Sequence, residues 1–211
     1  MSPVTPETVD HYVQMLADLH RVDPHIGDAL FWMVVRGRGE PLTVADVARR
    51  LGADPGAAVP RTVPELEEGH AVLEQSDHGV IVLSRNASIV DPDVWARLSE
   101  NAQVWCFWWL ANSLNNLSYA ADGRLVTELD VLHPEPSECR GRDPRALDSH
   151  LRALRDLAGW KRADDQVGVS PSAPYHRWET SLATMEAMTG VRLDVDRFTR
   201  RQRSVSADAF R

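Results

Sequence analysis

Hydrophobic positions follow two spacings along this chain, and the switches between them mark its elements. Behind Thr5-Pro6, the residues Val9, Tyr12, Val13, Leu16 and Leu19 recur three or four apart. A threonine cap with proline at the first helical position predicts a helix start there. The run ALFWMVVRG, from Ala29 to Gly37, is rich in β-formers and predicts a strand, broken by Gly37 and Gly39. Thr43 with Asp46 three residues on resembles a capping box. Val44, Val47, Ala48 and Leu51 then share one helical face, and Gly52 can close the helix in the left-handed conformation. Pro55 to Glu65 reads as a proline-punctuated loop. Two strand-like runs between Ala71 and Leu83 flank Asp77-His78-Gly79, which predicts a hairpin or tight bend. Asp91-Pro92 opens another helix, with Val94, Trp95 and Leu98 inward.

The stretch VWCFWWLANSLNNLSYAADGRLVTELDV, from Val104 to Val131, carries the strongest local signal. Asp122-Gly123 lies between alternating runs, and glycine there can adopt the positive φ of a type I′ turn. Tyr119, Leu125, Val126 and Leu129 then belong to two antiparallel strands. Farther on, Asp143-Pro144 is expected to begin a helix carrying Leu147, Leu151 and Leu154. Lys161 to Pro174 reads as a polar loop, and a last helix holds Leu182, Met185 and Met188 before Gly190. Hairpins rather than regular strand–helix–strand crossovers predict an α+β fold. The expectation is a single domain over residues 1–211, a mainly antiparallel sheet with flanking helices, and a frayed tail from about residue 199.

Alternation divides the aromatic strand into two faces. Val104, Cys106, Trp108 and Leu110 fall on one, and Trp105, Phe107, Trp109 and Ala111 on the other. Both are apolar, so the strand is expected to be central and covered on both sides. Core packing explains most of this. The functional alternative is an aromatic-lined pocket, with Trp105, Trp108 or Trp109 at its floor and Asn112, Asn115 and Asn116 as its polar rim. Three indoles on one strand also need partners for their N–H groups.

Charge narrows the partners. The chain carries a formal charge of −8 and a pI near 5.4, which argues against nucleic acid. Arg192, Arg197, Arg200, Arg201 and Arg203 crowd the C-terminus, in the segment expected to fray. No apolar run reaches the roughly 20 residues of a membrane helix. MSPVTPETVD lacks the basic-then-apolar layout of a secretion signal. Cys106 and Cys139 are too few for a disulfide framework. These readings predict a cytoplasmic protein without membrane contact.

Candidate chemistry is sparse. His133 and Cys139 do not make up the four ligands of a structural zinc site, so no metal is expected. No serine sits in a nucleophile elbow. The RGRG of Arg36 to Gly39 lacks the spacing of a dinucleotide loop, so no cofactor is expected. Arg36 could still receive a carboxylate or phosphate through its planar fork. Glu128 and Asp130 lie two apart on one strand face and are the weak candidates for acid–base work.

Four segments together resemble a family. They are VVRGRGEPLTVADVARRLGADP, GVIVLSRNASIVDPDVWARLS, LSYAADGRLVTELD and TGVRLDVDRF. In this order they resemble an uncharacterised actinobacterial family, a domain of unknown function, from about Ala29 to Phe198. The resemblance implies no activity, cofactor or catalytic residue. Common members of that family read Gly-Trp where this chain has Gly79-Val80. They also carry a plainer Val/Phe-rich strand where it has Trp105, Trp108 and Trp109.

The leading expectation is a binding or accessory protein, immunity-like or self-protective, that recognises a partner protein or a small apolar molecule. The alternative is a small cofactor-free enzyme of cyclase or isomerase type. It would use the tryptophan pocket with Glu128 or Asp130.

Overall fold

The computed structural model describes residues 3–85, 92–110, 115–167 and 176–207. Helix α1 (Pro6–Val22) begins where Thr5 caps it, the threonine hydroxyl accepting from the Thr8 amide at 3.3 Å. Its inward stripe is Tyr12, Met15 and Leu19. Strand β1 (Ala29–Gly37) follows a short 3₁₀ turn. Helix α2 (Val44–Arg50) has the full capping box, with both Thr43 and Asp46 taking part. Then come β2 (Val59–Arg61), β3 (His70–Ser76), β4 (Gly79–Ser84) and α3 (Pro92–Ser99). Strands β5 (Ala102–Leu110), β6 (Asn115–Ala121) and β7 (Arg124–Asp130) form a meander. Helices α4 (Arg152–Val167), α5 (Arg177–Thr189) and α6 (Val195–Thr199) precede β8 (Gln202–Ser206).

The eight strands among the described residues join one sheet in the order β2-β8-β3-β4-β1-β5-β6-β7, and every neighbouring pair is antiparallel. The fold is α+β, with helices on both faces. One core lies under α1, α4, α5 and α6, where Tyr12, Trp32, Phe107, Leu154, Leu182 and Phe198 meet. The other lies under α2 and α3, where Phe31, Val47, Val82, Trp95 and Cys106 meet. Alternation along β1 and β5 feeds both cores. Every residue from Leu30 to Val35 and from Val104 to Trp109 is therefore buried. At the β6–β7 turn, Asp122 and Gly123 have φ of 53° and 73°, the two positive values a type I′ hairpin needs.

Several expectations change. The helix expected from Asp143-Pro144 begins only at Arg152. Asp143 is tied to the sheet instead: its amide donates to the Val126 carbonyl at 2.9 Å, and its carbonyl accepts from the Thr127 hydroxyl. Residues 144–150 then make separate turns, with Leu147 and Leu151 still reaching the core. The expected loop from Lys161 is helical through Val167, and 168–175 lie outside the described residues. The Pro55–Glu65 loop contains the edge strand β2.

The expected frayed tail from about residue 199 is also corrected, since 202–206 form a strand between β2 and β3. The tail stays because its arginines have partners. Arg197 and Arg200 converge on Glu74 at 2.5 and 2.7 Å, and Arg201 meets Glu65 at 2.9 Å. That pairing also neutralises most of the C-terminal basic cluster.

Candidate functional site

Register assembles the candidate site on the α2/α3 side of the sheet. Paired residues in an antiparallel ladder project to the same face. One row runs Trp108–Asn116–Asp130 across β5, β6 and β7. The next runs Cys106–Ser118–Glu128 and continues to Arg140, which makes an isolated bridge with Glu128. Glu128 and Arg140 exchange both backbone hydrogen bonds, at 2.9 and 2.7 Å. Gly141 lets this outer segment come so close. Its φ is 111°, and a Cβ there would lie 2.4 Å from the Val126 carbonyl oxygen.

These rows floor a cleft of about 300 Å³, lined also by Asn115, Leu129, His133 and Glu138. Trp108 is 7% exposed and forms the aromatic part of the floor. Glu128 and Asp130 are half-buried; His133, Glu138 and Arg140 are exposed. The Glu128 carboxylate accepts a long hydrogen bond from Ser118, at 3.4 Å. One Asp130 oxygen accepts from the Leu132 amide at 2.9 Å. Among the described residues no ion pair joins Glu128, Asp130, Glu138 or Arg140 to any partner. Beneath them Cys106 is fully buried. Desolvation pushes its thiol well above the ordinary range and the Glu128 carboxylate adds to this, so it is an inert thiol rather than a nucleophile.

The other expected site residues separate. Trp105 and Trp109 face the opposite core. Trp109 is 1% exposed and stacks on Trp178 of α5, with ring centres 5.0 Å apart and planes within 10°. Asn115 also serves that side, its side-chain oxygen accepting from the Trp178 indole N–H at 2.7 Å. Trp105 is held between Tyr119, stacked at 5.4 Å, and the Arg36 guanidinium, 5.2 Å from its ring centre. Asn112 lies outside the described residues. Trp108, Asn115, Glu128 and Asp130 are thus brought to one cleft, while Trp105, Trp109 and Arg36 are not.

Arg36 lines a second cleft of about 390 Å³, with His78, Glu186, Thr189 and Gly190 among its walls. There the charged groups Arg36 and Glu186 are occupied. Arg36 donates to the His78 carbonyl at 2.8 Å and to the Thr189 carbonyl. Glu186 takes a bidentate contact from Arg192, at 2.7–3.1 Å, and the Tyr12 hydroxyl at 2.9 Å.

Sequence reasoning passed over Glu138 and Arg140 as site residues. They sit in a segment without periodicity, and only the fold lays it beside β7. Gly141 was the available signal, a glycine next to a charged residue where the backbone needs positive φ.

A model described as "Family of unknown function (DUF6461)" matches residues 69–203. The chain belongs to this family. The matched span of DUF6461 contains strands β3, β4, β5, β6 and β7 and every described lining residue of the Trp108 cleft. It leaves out α1, β1, α2 and β2, and ends within β8. No curated protein and no solved structure matches the chain. Among the described residues, no helix is long and apolar enough to cross a membrane. No group of three His, Cys, Asp or Glu among them is placed to hold a metal ion.

Proposed function

We propose that this protein acts by binding, and that its recognition site is the cleft floored by Trp108, Asn116, Asp130 and Glu128. The observation that carries this reading is the set of charged side chains in a concave site with no ionic partner of their own. Such groups keep their bonding capacity for a ligand, whereas internally paired ones have spent it. The lining also refines the ligand. The sequence suggests a partner protein or a small apolar molecule; one indole among carboxylates, amides and a guanidinium suits a small polar one. An accessory role in the cytoplasm completes the reading, and two free, buried cysteines fit a reducing compartment. The family likeness is taken to extend from about Ala29 to Phe198 in actinobacterial relatives, because the sheet is not closed without β1.

The test is an amide and indole NMR titration against a set of small polar compounds. Ligand-induced shifts are expected at the Trp108 indole and at Asn116, Glu128, Asp130 and Arg140. Shifts confined to the Arg36 cleft, or none across the set, would remove this assignment. A second reading rests on one further observation: Glu128 and Asp130 share the cleft. If they divide acid and base roles, the bound compound will be converted during the titration; under the binding reading its own signals persist unchanged.

A further inference from the structure

The pair Glu128 and Arg140 points to the ligand's class; this inference rests on the recognition role of the Trp108 cleft. In a hydrogen-bonded antiparallel pair the two Cα atoms are about 5.5 Å apart, and the side chains leave the same face. Opposite charges so placed ordinarily pair with each other. Here both backbone hydrogen bonds are made, yet no ion pair joins the two side chains within 4.0 Å. The guanidinium and the carboxylate stand side by side, each open toward the cleft. Asp130 and Glu138 add two more carboxylates to the lining, and Arg140 is the one guanidinium among its described residues. The cleft therefore offers one site for an anion and a surplus of sites for a cation. Its volume of about 300 Å³ lies at the small end of ligand sites, enough for one amino-acid-sized molecule.

We infer that the ligand is a small zwitterion of the amino-acid class. Its carboxylate meets the planar fork of Arg140, its ammonium meets Glu128 and Asp130, and its carbon skeleton lies on the Trp108 ring. A partner protein's lysine or arginine side chain would supply the cation alone and leave Arg140 unused. A simple acid would supply the anion alone and face a net-negative wall.

Calorimetric titration separates these cases with the full chain and three kinds of probe. They are the common amino acids, cadaverine as the amine without a carboxylate, and valerate as the carboxylate without an amine. At least one amino acid is expected to bind, and cadaverine and valerate about tenfold or more weaker. Glu128→Gln and Arg140→Gln should each lower that affinity by a similar factor without moving the melting temperature. Cadaverine binding as tightly as the amino acid would overturn the zwitterion while leaving the cleft as a cation site. Binding that survives Arg140→Gln undiminished would do the same. No binding by any amino acid would also overturn it, and the polar-compound titration then decides separately whether the cleft binds anything.

Discussion

The Trp108 cleft and the Arg36 cleft are similar in size, about 300 and 390 Å³, and both hold arginine and carboxylate. They use these groups in opposite ways. Around Arg36, backbone carbonyls, an indole face and the Glu186–Arg192–Tyr12 cluster satisfy every described charge. Those contacts fasten the α5 C-terminus to β1, to the β3–β4 turn and to α1. Around Trp108, the carboxylates and the guanidinium meet backbone or a distant hydroxyl, or have no ionic partner. A cleft's shape alone does not mark it as a site; whether its polar groups are already engaged does. Mutation should therefore cost stability at the Arg36 cleft and binding at the Trp108 cleft.

The largest effect is expected from Glu186→Ala. It removes the acceptor of the buried Tyr12 O–H, whose oxygen still accepts from the Leu193 amide, and frees Arg192, costing about 3 kcal/mol. For a domain of this size that is roughly 6–10 °C in melting temperature, read by calorimetry. A shift within the noise of the scan would mean that the Arg36 cleft is not structural.

Gly141→Ala comes next, at about 2 kcal/mol, because the new methyl group must displace the Val126 carbonyl while holding positive φ. Denaturant titration measures the loss. The same variant should weaken ligand binding, since Arg140 is positioned by this approach. Wild-type stability in Gly141→Ala would show that the 140–143 segment is not fixed against β7.

The Arg36 cleft should also have an alkaline signature. Burial, with the Glu186 carboxylate beside it, pushes the Tyr12 phenol well above its ordinary value. The folded state thus holds the proton more tightly than the unfolded chain, whose tyrosines titrate near about 10. Stability from this group is complete below that pH and falls as pH rises beyond it, by up to about 1.4 kcal/mol per unit. Tyr12→Phe should flatten this limb of the stability–pH curve; an unchanged slope would assign it elsewhere.

The smallest effect is expected at the Trp108 cleft. Glu128→Gln and Arg140→Gln should each change stability by no more than about 0.5 kcal/mol in chemical denaturation. A loss of about 2 kcal/mol from either would show that the pair is engaged internally, and the contrast between the clefts would collapse.

Much of the fold could be read from local patterns. Thr5-Pro6, the Thr43–Asp46 box and Asp122-Gly123 each specify backbone geometry within a few residues. Two-sided burial of β5 followed from its unbroken apolar run. The reading failed where distant contacts decide. Asp143-Pro144 has a helix-start signature, but β7 holds that backbone through Val126 and Thr127. The β8 segment resembles a tail in sequence because its arginines suit solvent, and Glu65 and Glu74, which the neighbouring arginines meet, are far away along the chain. At the site, the alternation along β5 and β7 separated Trp108 from Trp105 and Trp109 and put Glu128 with Asp130. Arg140 was illegible because its neighbour across the sheet is set by topology alone.

The position of β1 has a consequence for how the chain reaches this state. β2, β8, β3 and β4 form one half of the sheet, β5, β6 and β7 the other, and β1 alone bridges them. It is synthesised before either neighbour, and its partners begin at Gly79 and Ala102. The β3–β4 hairpin and the β5–β7 meander can close locally, but the seam between them is a high-contact-order event. Until it closes, an apolar run from Leu30 to Val35 lies unpaired along both edges, a template for wrong pairing with another copy. Strand β1, which lies outside the family-matched span, thus sets both the pace of folding and its main aggregation hazard.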